Sequence, residues 1–177
     1  MSKHKFNKQL LVEGNDDLHV VANLLQKFET SENFEIIDCK GFDNLVLQIP
    51  QRFKQSDIKT IGIIVDADEH VEAKFQSICD VLKNSNIKRE KQITNDGMIL
   101  MPTEEENVKV GLWIMPNNKV KGMLEDFISF LIPQDDKLFE ESKNVIAKIE
   151  ANNLNKYSKI HSSKALIHTW LAWQQDS

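Results

Sequence analysis

Short unbroken apolar runs alternate along this chain with longer stretches in which apolar residues return every third or fourth position. Gln9-Leu10-Leu11-Val12 is the first run, with the length and content of a buried strand. From Leu18 the apolar positions become 18, 21, 25 and 28, a helical spacing, and Asp16 or Asp17 stands where an N-cap belongs. Phe34 to Cys39 predicts a second strand, closed by Lys40-Gly41, and Phe42 to Phe53 a second helix whose end is complicated by Pro50. Thr60-Ile61-Gly62-Ile63-Ile64-Val65 is the strongest strand signal, a β-branched run suited to a strand covered on both faces of a parallel sheet. It stops at Asp66-Ala67-Asp68. Apolar residues at 71, 75, 78, 79 and 82 then form one helical face, ended by Asn84-Ser85-Asn86. Strand and helix in strict alternation imply parallel pairing through right-handed crossovers.

The second half of the chain departs from that alternation. Met98 to Met101 and Val108 to Met115 predict two strands of a hairpin, linked by the polar segment Pro102 to Asn107. Three helical stretches follow, over Val120 to Ile132, about 138 to 150, and Ser162 to Gln174. Trp170 and Trp173 in the last of them are expected in the core or on a docking surface. The expected architecture is α/β: a mainly parallel, Rossmann-like sheet with helices on both faces, an extra hairpin and C-terminal helices.

A chain of 177 residues is long enough for one well-filled core and short for two ordinary domains. One domain over 1–177 is therefore expected, with a core of about 8–132 and a C-terminal helical extension of about 133–177. Hydrophobic residues at 41% and charged residues at 28% argue against global disorder. Neither a secretory signal nor an apolar stretch long enough to span a membrane is visible, so a cytoplasmic protein is expected. Cys39 and Cys79, far apart and without nearby histidine, read as small buried hydrophobes rather than a zinc site or redox pair.

The acids are where the pattern acquires chemistry. In an open parallel sheet the carboxyl ends of the strands share one edge, and ligands bind in the crevice beyond it. Glu13 closes the first strand, and Asp66 and Asp68 close the third, so all three can face one crevice. Two carboxylates about 4 Å apart repel by roughly 4 kcal/mol at an effective dielectric near 20. Such a cluster requires protonation or a divalent cation, and hard oxygen donors favour magnesium or manganese. Acids are also common in such turns because they cap helices and suit the positive helix end. Gly14, bending the first turn, and the acidity of both turns tip the balance toward a metal site.

Val12-Glu13-Gly14-Asn15-Asp16-Asp17, followed about fifty residues later by Asp66-Ala67-Asp68 at the end of an apolar strand, resembles the Toprim domain of topoisomerases, primases and several nucleases. The resemblance implies a general acid or base at Glu13 and magnesium ligands at Asp66 and Asp68. Asp17 is similar to the additional metal ligand of OLD-type nucleases. Met123-Leu124-Glu125-Asp126-Phe127 resembles their acidic helix start, which implies a further ligand at Glu125. Lys164 resembles a late lysine that steadies transition-state charge, although a lone helical lysine is more commonly solvated. Where many Toprim domains place glycine after Asp-x-Asp, this chain has Glu69-His70-Val71-Glu72. The overall layout is also similar to a small stand-alone Toprim family of unassigned function.

From this follows an expected activity: Mg2+- or Mn2+-dependent phosphoryl transfer, hydrolysis of a phosphodiester in DNA or RNA. A net charge of −5 speaks against a polyanionic partner, but the five acids of the expected site alone account for it. Lys83, Lys88, Arg89 and Lys91 form either a phosphate-facing patch or a solvated run. His70 abuts the acid pair but reads as an exposed helix-start residue, and His19, His161 and His168 as ordinary helix residues. Two other classes stay open. With no Gly-x-x-x-x-Gly-Lys-Ser/Thr loop, the chain fits a non-catalytic module serving an ATPase in trans. A phospho-receiver domain also pairs acids after its first strand, but Glu13-Gly14 and the second aspartate depart from it. A topoisomerase nucleophile would have to be Tyr157, the sole tyrosine, and a primase needs further modules.

Overall fold

A computed structural model describes residues 6–30 and 33–175. Its sheet has five strands in the order β2-β1-β3-β5-β4: β1 (Lys8–Val12), β2 (Glu35–Asp38), β3 (Thr60–Asp66), β4 (Met98–Leu100) and β5 (Lys109–Met115). β1 pairs in parallel with β2 and β3, and β3 in parallel with β5. Only β4 runs antiparallel, as the hairpin partner of β5. The strands lie within about a residue of their expected bounds at each end, because alternation of buried and half-buried positions is strict in β3 and nearly so in β5. Gly62 of β3 lies opposite Leu10 of β1, and a Cβ there would stand 2.7 Å from the Leu10 Cδ1 atom. The glycine in the middle of the strand is thus a place of close approach.

Six α-helices are described: α1 (Asn15–Lys27), α2 (Phe42–Phe53), α3 (Val71–Asn84), α4 (Leu124–Leu131), α5 (Lys137–Ala151) and α6 (Ser162–Ala172), with a 3-10 turn at Lys159–His161 before the last. Right-handed crossovers to β2 on one side of β1 and to β3 on the other place α1 on one face and α2 on the opposite one. One cluster joins Leu11, Ile61, Ile63 and Val65 of the sheet to Leu45 and Ile49 of α2 and Ile78 and Leu82 of α3. Each such fully buried aliphatic side chain stabilises by roughly 1.5–3 kcal/mol. A smaller cluster, Ile132, Phe139 and Ile167, gathers the C-terminal helices, with Ile128, Leu166 and Trp170 against it.

Several boundaries move. Asp16 and Asp17 are not N-caps: α1 begins at Asn15 behind Gly14, and both acids lie inside its first turn. The second helix, by contrast, keeps its expected bounds, Phe42–Phe53, with Pro50 inside it. The helix expected from Val120 starts only at Leu124, because Gly122 is held in a two-way backbone bridge with Asp68, each N–H donating to the other's carbonyl at 2.9 Å. Trp170 packs edge-to-face on Phe139, ring centroids 6.0 Å apart, whereas Trp173 is 43% exposed. Cys39 and Cys79 are free and buried. Among the described residues no helix is long and apolar enough to cross a membrane.

Candidate metal and phosphate site

The order of strands reverses at β1: the chain goes from it outward to β2, then returns past it to β3. In parallel sheets that reversal opens a crevice at the carboxyl ends of the two strands concerned. Glu13 follows β1 directly, and Asp66 is the last residue of β3. The parallel register pairs Val12 with Ile64, which brings both acids to one edge. There the Asp66 backbone N–H donates to Glu13 Oε2 at 3.3 Å. The Glu13 carbonyl in turn accepts from the Gly41 N–H at 2.7 Å, tying the turn before α2 to the same edge.

Asp17 reaches the cleft from the first turn of α1. Its Oδ2 accepts from the Gly14 N–H at 2.9 Å, closing the helix start from within. Its Oδ1 is buried with no hydrogen-bond partner, and the residue is 5% exposed. Burial pushes its carboxyl up to about 6, against the Gly14 amide and with help from the Glu13 charge. Asp66 is perturbed further. Its Oδ1 is also buried without a partner, and burial, then the charges of Asp17, Glu13, Asp68 and Glu125, push its carboxyl up to about 8. Glu13 is raised by burial too, although the Lys74 ammonium and the Asp66 amide pull the other way.

Asp68 is held differently. It adopts a left-handed backbone, φ 51°, and its Oδ2 lies 2.7 Å from the ammonium of Lys74. That ammonium also sits 3.9 Å from the centre of the Phe42 ring. Gly122, across the bridge from Asp68, has φ +144° and no room for a side chain, since a Cβ would meet Asp126 Oδ2 at 2.7 Å. The Asp126 carboxylate is needed where it is, accepting from the Met123 N–H at 2.8 Å and so starting α4. The adjacent residue, Glu125, is thereby carried into the cleft, 5% exposed, with Lys164 of α6 3.4 Å from it.

All six residues singled out in the sequence, Glu13, Asp17, Asp66, Asp68, Glu125 and Lys164, line one cleft of about 440 Å3. Asp38, the last residue of β2, Lys40 just beyond it, and His161, in the 3-10 turn, line it as well and were not foreseen. Lys74 was missed altogether. A signal existed: a lysine in the first turns of a helix opposes the helix dipole, and so requires an acid nearby. His70 is exposed and does not line this cleft. Nor do the candidate phosphate-facing cations: Arg89 pairs with Glu106 and donates to the Met101 and Val108 carbonyls, Lys91 donates to the Ile87 and Arg89 carbonyls, and Lys83 and Lys88 are exposed. These contacts fasten the approach to the hairpin.

The donor chemistry fits a hard divalent cation, because two buried carboxylate oxygens, Asp17 Oδ1 and Asp66 Oδ1, lack any partner in the protein. Among the described residues, however, no group of three or more carboxylate, histidine or cysteine side chains stands ready to hold a metal ion. Asp68 and Glu125 are each drawn to a lysine instead.

Compared with known proteins, the chain matches no curated protein and no solved structure. One family model covers residues 7–177, nearly the whole chain, and by that match the protein belongs to the family described as "Protein of unknown function (DUF3226)".

Proposed function

We propose that the protein is a Toprim-like, Mg2+- or Mn2+-dependent phosphoryl-transfer enzyme that hydrolyses phosphodiester bonds in DNA or RNA, with a cytoplasmic setting. The observation that carries this reading is Asp66: a half-buried residue with one carboxylate oxygen buried and unpartnered, surrounded by four further acids, at the switch point of a parallel sheet. Lys74 and Lys164 offset only part of that concentration of negative charge, at Asp68 and Glu125, and a bound cation would offset more of it.

Asp17 and Asp66 would hold the ion, with Asp68 and Glu125 within the same cleft. A divalent cation bound there polarises the phosphoryl oxygen and neutralises charge as it develops. Glu13, whose raised pKa brings it nearer neutrality, holds or moves the proton of the attacking or leaving oxygen. Lys164, half exposed beside Glu125, faces the incoming phosphate. Incubating supercoiled plasmid and a structured RNA with the protein and Mn2+ tests the reading. Nicking that disappears in Glu13→Gln and Asp66→Asn, both folded by circular dichroism, is the expected result; equal cleavage by wild type and variants would remove it.

A second reading, a non-catalytic module acting with a separate ATPase, is favoured by one observation: Asp68 and Glu125 already carry lysine partners. Metal binding without turnover, together with pull-down of a nucleotide-binding partner, is the outcome it calls for.

A further inference from the structure

Charge is sorted along this chain. Between 151 and 175 there is neither Asp nor Glu, although the protein has 27 of them, and the same stretch holds three lysines and two histidines. The surroundings of the acidic cleft are sorted in the same way. Of three hollows that share a residue with it, two carry its acidity onward: one includes Asp68, Glu69 and Asp126, another Asp68 and Glu69. The third, of about 510 Å3, is lined by Tyr157, His161, Lys164, Ala165 and His168, with no carboxylate among the described residues. His161 and Lys164 line the cleft as well, so the two spaces are continuous.

Two rings of this hollow are held in place. The Tyr157 hydroxyl donates to Glu150 Oε1 at 3.0 Å, and that carboxylate, which does not line the hollow, also accepts from Ser162 Oγ at 2.6 Å. Ser158 Oγ lies 3.2 Å from His161 Nδ1. His161, Lys164, Ala165 and His168 follow one another at helical spacing, so they form one stripe along α6. Flat rings beside an ammonium suit a nucleobase and its phosphate, the base stacking and the phosphate meeting the cation.

We infer that this hollow binds a nucleotide of single-stranded DNA or RNA, its base against the Tyr157, His161 and His168 rings and its phosphate at Lys164, adjacent to the phosphate that reacts in the cleft. The inference rests on the phosphoryl-transfer reading for the nature of the strand. A single strand is specified because a base inside a duplex is paired and stacked, and cannot lie on a protein ring without being extruded. The strand leaves the cleft on this side because the other two hollows would meet its phosphates with carboxylates.

Fluorescence anisotropy of a labelled oligothymidylate, free and annealed to oligoadenylate, tests this on the full chain, in Ca2+ rather than Mn2+ so that the strand is bound and not turned over. The single strand is expected to bind at least about tenfold more tightly than the duplex. Tyr157→Ala should weaken it about tenfold, while Tyr157→Phe, which keeps the ring and loses the bond to Glu150, should stay within about threefold of the wild type. His168→Glu places a carboxylate on the stripe at an exposed position; it should also weaken binding about tenfold, and it decides the matter should Tyr157→Ala fail to fold by circular dichroism. Duplex bound as tightly as single strand, either weakening variant within about twofold of the wild type, or Tyr157→Phe as weak as Tyr157→Ala would overturn the inference. Mn2+-dependent cleavage of bis(p-nitrophenyl) phosphate, a diester too small to need the hollow, separates the two readings. Cleavage with strand binding indifferent to Tyr157 removes this inference and leaves phosphoryl transfer standing. Strand binding through Tyr157 without cleavage of this diester or of nucleic acid does the reverse, and absence of both removes both.

Discussion

The turn after β1 and the turn after β3 both place acids at the same edge of the sheet, at the start of a following helix, and in sequence they look alike. In three dimensions they differ. The first is satisfied in part by its own backbone: Asp17 accepts the Gly14 amide through Oδ2 and so closes the helix start, while its Oδ1, like that of Asp66, stays buried without a partner. The second finds no such local use. Asp66 leaves one oxygen buried and unpartnered, and Asp68, two residues on, needs a lysine from the following helix. Capping accounts for an acidic turn when the acid faces its own helix; it does not account for an acid at the end of a strand that faces other acids.

The largest effect expected from breaking this contrast is on activity. If the cation contributes several kcal/mol of charge stabilisation, Asp66→Asn should lower Mn2+-dependent cleavage by roughly a thousandfold, while Lys164→Met should lower it far less. Stability should move in the opposite direction. The Asp66 carboxyl is raised from 3.8 to about 8 in the folded protein, so between those pH values the folded state keeps a proton that the unfolded chain has lost. Its contribution is fully present below about pH 4 and is lost as pH rises through about 8. In chelator at pH 8, Asp66→Asn should therefore stabilise the protein, by up to about 5 kcal/mol in urea unfolding, and the gain should vanish near pH 4.

A next smaller effect concerns the scaffold of the second turn. Gly122→Ala adds a side chain at φ +144° against Asp126, and should cost about 1–3 kcal/mol in thermal or urea unfolding, with Met123 and Asp126 amide protection lost first in hydrogen exchange. Asp17→Asn sharpens the comparison directly: its carboxyl rises only to about 6, so the same pH argument gives a gain at pH 8 of roughly half that of Asp66→Asn. An equal or larger gain would mean that the two turns are not distinguished in the way described. The smallest change is Lys164→Met, where a half-exposed pair at 3.4 Å should alter unfolding free energy by less than about 0.5 kcal/mol.

The fold was legible where the hydrophobic period was strong. Thr60 to Val65 could only be a buried strand, and the 71, 75, 78, 79 and 82 face could only be a helix, because burial of one side forces period two or period 3.6. Legibility failed where long-range contacts override local preference: Val120 to Met123 have helical neighbours, but the bridge from Asp68 to Gly122 takes their segment out of the helix. Trp170 and Trp173 stand on the same stretch, yet packing against Phe139 engages only the first.

Much the same division runs through the cleft. The sequence by itself determined that Glu13 and Asp66 end neighbouring kinds of strand and that acids concentrate there, because strand ends are written in the local alternation of apolar and polar residues. Only the tertiary structure decided which carboxylate oxygens are left alone and which meet a lysine. Lys74 joins Asp68 through the pitch of α3 and the placement of Phe42, and Glu125 is carried in by a glycine bridge made across the fold. Counter-charges act through space, over distances of a few ångströms that one-dimensional spacing does not encode.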